Sequence, residues 1–118
     1  MQYFSKYRVL KSSWGIAINI TGSIEEIISA ENEFQVVGKS LTAADKAQII
    51  QGLKSLSDNF PGKKYSICVQ ELNFNYCDFQ IEALYWASRD WLSKALNIKV
   101  SDPEVFYNSK DRKYIFNS

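Results

Sequence analysis

Glu71, Asp78 and Glu82 are the carboxylates whose spacing could do chemistry, because they cluster around one strand-to-helix turn. Two carboxylates divide acid and base roles when burial separates their pKa values. The same residues also have simpler work. Asp78 stands where a helix needs an N-cap, and Glu82 falls one turn later on the outer side of that helix. The chain has no histidine, which removes the side chain most used for proton transfer and metal ligation near neutral pH. No serine–histidine or cysteine–histidine pair can form, and a cysteine nucleophile would need another activating partner. Walker A, GxGxxG and HExxH patterns do not occur. Cys68 and Cys77 make no CxxC, and Cys68 falls in a strand pattern that suits a buried reduced thiol. These features point away from an enzyme and require no metal or cofactor.

Charge and aromatic placement suggest binding instead. Between Lys11 and Lys39 there is no basic residue, while Glu25, Glu26, Glu31 and Glu33 fall inside that window. Such a segment is either a solvated surface or one that meets a basic partner, where complementary potential speeds encounter. Lys6, Arg8 and Lys11 make the first strand basic, and Lys110, Arg112 and Lys113 do the same near Tyr107 and Tyr114. Cations beside aromatics bind single-stranded RNA, but lysines on a strand edge also discourage edge pairing. With 14 basic and 13 acidic side chains the net charge is +1. No global field therefore recruits nucleic acid or an anionic membrane. Phe79 and Trp86, seven residues apart, form an aromatic pair on the outer side of a helix. Either another chain covers them, or the C-terminal residues Phe106, Tyr107, Tyr114 and Phe116 do, which is the expected arrangement.

The elements that must carry these residues follow from periodicity. Residues 3–10 alternate loosely, and Trp14, Ile16, Ile18 and Ile20 then share one face of a strand that forms a hairpin with the first. Thr21-Gly22-Ser23 is expected to break this strand before a short helical turn through Ile28. Glu33 to Lys39 reads as a third strand. Thr42 and Asp45 open a helix over 42–58, where Gly52 invites close packing against another element. From Lys63 to Phe74 the apolar parity switches between Val69 and Leu72; either a β-bulge near Gln70-Glu71 restores it, or the C-terminal tail covers the second half on its other face. A second helix is expected over 78–96, with Ile81, Leu84, Tyr85, Ser88, Trp91, Leu92 and Ala95 inward. The C-terminal residues around 105–107 and 114–116 read as a hairpin.

This order gives an α+β, two-layer domain over residues 1–118, with a mostly antiparallel sheet and both main helices on one face. The segment EFQVVGKSLTAADKAQIIQGLKSLSDNFPGKKYSICVQELNFNYCDFQIEALYWASRDWL gives strand, helix, strand, helix. In that cadence it resembles the ribosomal protein S5 second-domain fold, as in domain IV of elongation factor G. The glycine-rich stretch and the histidine-containing loop of that family are absent, so the resemblance implies architecture alone. In size and in its acidic segment the chain also resembles the small bacterial immunity proteins that neutralise toxins. The expected function is accordingly a cytoplasmic protein-binding module that occludes a toxin's active site, with Glu25, Glu26, Glu31, Glu33, Phe79 and Trp86 as partner-binding residues. Its partner would be a protein, such as a basic toxin domain. No apolar run is long enough to span a membrane, and nucleic acid is disfavoured as a partner. The alternatives are an RNA- or translation-associated module and a carboxylate/metal-dependent enzyme.

Overall fold

Isoleucines at every second position bury one side of strand β2, Gly15–Ile27. Ile16, Ile18, Ile20 and Ile24 are all buried, as one face of a half-covered sheet requires. The computed structural model describes residues 1–12, 15–74 and 80–117, so Trp14, Cys77, Asp78 and Phe79 lie outside the described residues. Strand β1, Gln2–Leu10, pairs antiparallel with β2 and places Ser5 and Val9 opposite Ile20 and Ile16.

The expected break after Ile20 does not occur, and β2 continues to Ile27 with no helical turn through Ile28. Gly22 serves packing, not a turn. A Cβ there would stand 2.5 Å from the Cys68 carbonyl oxygen and 2.7 Å from the Trp91 ring. The bare backbone at Gly22 is therefore what lets Trp91 lie against the strand.

Strand β4, Lys64–Phe74, lies on the other side of β2. Thr21 pairs with Glu71 and Gly22 with Val69, which leaves Gln70 as the extra residue of a bulge. The bulge returns Leu72 and Phe74 to the face already occupied by Ile67 and Val69, as the parity switch predicts. Strand β3, Glu33–Val36, stops three residues short of the expected Lys39 and pairs parallel with β4. The sheet order is β1-β2-β4-β3.

Helix α1, Ala43–Lys54, starts on a reciprocal cap. The Asp45 amide donates to Thr42 Oγ1 (3.1 Å), and the Thr42 amide donates to the Asp45 carboxylate (3.0 Å). The expected tail of this helix is instead a separate 3-10 turn, Ser57–Asn59. Helix α2, Glu82–Ala95, begins four residues later than expected, and Ile81 at its cap position makes no side-chain capping bond. The two helices touch where a Cβ on Gly52 would stand only 2.3 Å from the Tyr85 carbonyl oxygen. That contact is the close packing Gly52 suggests.

Ala83, three residues before Trp86 on α2, is fully buried together with Ala87. The reason is that α2 packs on β1 and β2 as well as on α1, so its buried arc is wider than one helix contact needs. Ile49, Leu53, Leu84, Trp91 and Leu92 share a core with the isoleucines of β2, which puts both helices on one sheet face. The fold is thus α+β. Strands β5, Glu104–Asn108, and β6, Lys113–Asn117, form the expected C-terminal hairpin as a second, two-stranded sheet. Among the described residues, no helix is long and apolar enough to cross a membrane.

Candidate interaction surface

Side chains that alternate with the core set stand on the opposite face of the four-stranded sheet. Register places Glu25 beside Ser66, and Ser66 beside Glu33, in one row across β2, β4 and β3. Two strand spacings separate the two glutamate backbones, about 10 Å. Both residues are exposed. The Met1 amino group pairs with Glu25, and among the described residues Glu33 has no ion-pair partner.

The other two acidic residues of the window are directed elsewhere. Glu26 has the opposite parity, opposite Tyr65, and its carboxylate lies 3.4 Å from Lys63 Nζ. Glu31 follows β2 and lines a groove of about 510 Å3 with Lys54 and Lys64. The four glutamates thus divide by placement: Glu25 and Glu33 share the uncovered sheet face, Glu26 pairs with Lys63, and Glu31 lines a groove with two lysines. The cations that pair with Glu25 and Glu26, the Met1 amino group and Lys63, come from either side of the window, where a local charge count does not reach.

Trp86 is covered by this chain. Its ring stacks on Phe116 at 6.0 Å with 17° between planes, meets Tyr85 edge-on at 4.8 Å, and lies 5.9 Å from the Arg89 guanidinium. Gln80 ties the hairpin down. Its amide donates to the Tyr114 carbonyl (2.6 Å) and accepts from the Tyr114 amide (2.8 Å), a two-point clasp between the start of α2 and β6. Trp86 therefore serves the hairpin contact, beside a groove of about 270 Å3. Its expected companion Phe79 lies outside the described residues.

The aromatic neighbours of the basic C-terminal cluster are also engaged inside the molecule. Tyr114 is buried, packs edge-on against Tyr107 at 5.2 Å, and its hydroxyl accepts from the Lys11 amide at 2.8 Å. The buried Tyr114 ring is therefore not free to stack on a base. Among the described residues no cluster of acidic and cysteine side chains is arranged to hold a metal. Glu71 stands on the sheet and is bonded by Asn73 at 3.2 Å, while Glu82 opens α2. Cys68 is free and only half-buried, correcting the expectation of a buried thiol. Its parity opposes that of Ile67 and Val69, which turns it to the uncovered face.

Sequence reasoning missed the β1 contribution to that face. Phe4 and Leu10 are 57% and 74% exposed, on the same parity as Lys6 and Arg8. That shared parity was the available signal. The Arg8 guanidinium bridges to Asn19 Oδ1 (2.7 Å) and the Tyr7 carbonyl (3.0 Å). On the core side, burial and then the Asp90 and Asp102 carboxylates push the Tyr7 phenol well above its ordinary pKa.

The architecture defines an α+β domain with one covered and one uncovered sheet face, and 13 solved chains match it in fold. One of them is a protein of Thermus thermophilus known from a crystal structure, with a TM-score of 0.64 and 14% sequence identity. The likeness covers 79% of this chain and 15% of that chain, so this chain spans a small part of its length. At that identity the likeness shows the fold alone. No family model matches this chain, and no curated protein matches it in sequence.

Proposed function

We propose that this protein is a binding module of the immunity type, which occupies a basic, nucleic-acid-handling cleft of a partner toxin. The observation that carries the reading is the placement of Glu25 and Glu33 in one row on the uncovered sheet face, with Ser66 between them. An uncovered sheet face with two exposed carboxylates about 10 Å apart presents charges where a substrate's phosphates would stand. The engaged tyrosines at the basic C-terminal cluster count against the RNA alternative. The strand–helix–strand–helix order supports the S5-like resemblance as architecture, without a translational role.

The test is retrieval of the tagged protein from its source cells at low and high salt, with identification of what accompanies it. A stoichiometric basic protein, released by salt and inhibited when the purified module is added back, is the expected result. Co-purified RNA in place of a protein would overturn the reading.

A further inference from the structure

The second surface is the outer edge of β1, which is terminal in its sheet. The Ile24 amide donates to the Met1 carbonyl at 3.1 Å, continuing the β1–β2 ladder beyond Gln2. Hydrogen bonding in an antiparallel pair alternates. The odd residues of β1 therefore bond to β2, and the N–H and C=O groups of Phe4, Lys6 and Arg8 point outward. Among the described residues these edge groups have no hydrogen-bond partner. A groove of about 460 Å3 runs along this edge, with Lys6 to Lys11 as one wall. Opposite them stand Asp90 and Lys94 of α2 and the segment carrying Asp102, Pro103 and Val105. Five consecutive residues of β1, followed by Lys11, line this groove, so the strand presents backbone to it as well as side chains.

Charge decides what fits. Asp90 is paired with Lys94 at 2.9 Å, which leaves Asp102 as the groove's one carboxylate without an ion pair among the described residues, while Lys6 and Arg8 extend from β1 on the uncovered face. Pairing with β1 of a second copy in register at Lys6 would set Lys6 against Lys6, and like charges directly opposite repel, which leaves self-pairing only the shifted registers. The lysines thus blunt self-pairing. For a strand bearing carboxylates at alternate positions the same residues attract, while its backbone completes the ladder.

We propose that the outer edge of β1 is a docking site for an extended, carboxylate-bearing strand of a partner protein, added to the sheet as a fifth strand. It uses the opposite end of the sheet from Glu33 and does not depend on the acidic row. The probe is a capped seven-residue peptide of alternating threonine and glutamate, with a threonine–lysine peptide as its match, read by amide hydrogen exchange at single residues. The acidic peptide should slow exchange about tenfold or more at Phe4, Lys6 and Arg8, and the basic peptide should not. Phe4→Pro removes only an outward N–H, and it should abolish the protection while the β2–β4 amides stay as slow as before. Lys6→Glu, a surface change that keeps the backbone, should weaken the acidic peptide and favour the basic one. Absent protection, equal protection by both peptides, or edge protection that rises with protein concentration alone would each overturn the proposal, the last by assigning the edge to a second copy.

Discussion

Ser88 and Tyr7 show how single side chains set this protein's stability without serving a partner. Ser88 is fully buried on α2, and among the described residues its hydroxyl has no hydrogen-bond partner. An unsatisfied buried hydroxyl costs about 1–3 kcal/mol, and alanine is also the better helix former. Ser88→Ala should therefore stabilise the fold by about 1 kcal/mol, seen as a higher midpoint in urea with an unchanged slope. A lower midpoint would mean that the hydroxyl has a partner in solution. Tyr7 titrates in the opposite sense from a paired carboxylate. Its folded pKa lies above the unfolded value because burial and two nearby carboxylates oppose the phenolate. The folded state then binds the proton more tightly, so this stability is complete below about pH 10 and is lost as the pH rises further. Denaturant titrations at neutral and alkaline pH should show a loss in the wild type that Tyr7→Phe reduces.

At the scale of elements, Gly52 is where α1 and α2 come closest. A methyl group there would meet the Tyr85 carbonyl at 2.3 Å, backbone against backbone, with no flexible side chain to yield. Gly52→Ala should gain about 1 kcal/mol of helix propensity and lose more through overpacking, a net destabilisation of about 1–3 kcal/mol by chemical unfolding. The sequence made this contact legible, because a glycine amid a strong helical period has few other uses. The bulge at Gln70 was legible for a similar reason: a parity switch within one strand has few remedies. The continuation of β2 through Gly22 was not, since a glycine that ends a strand and one that admits an indole look alike before Trp91 is placed. The position of the α2 cap also escaped, because Asp78 is a good capping residue by type and the helix nevertheless starts at Glu82. For the candidate surface, the sequence identified the acidic residues but not their division. Alternation within β2 separates Glu25 from Glu26, whereas the adjacency of Glu25 and Glu33 arises only once β4 lies between their strands.

The whole molecule is a sheet with one face given to the core and the other left to solvent, acidic at Glu25 and Glu33 and basic at Lys6 and Arg8. A net charge of +1 hides this polarity. Long-range fields act on encounter more than on the lifetime of a complex, and at physiological salt they reach only ~8 Å. The central claim is that Glu25 and Glu33 guide a basic partner to the uncovered face. Once the retrieved partner is purified, its association rate should be measured by stopped flow across a salt series, for the wild type and for Glu25→Lys with Glu33→Lys. The double variant should keep its thermal midpoint, associate about tenfold or more slowly at low salt, and lose the salt dependence of the wild type. Equal rates and equal salt dependence for the two proteins would contradict the account.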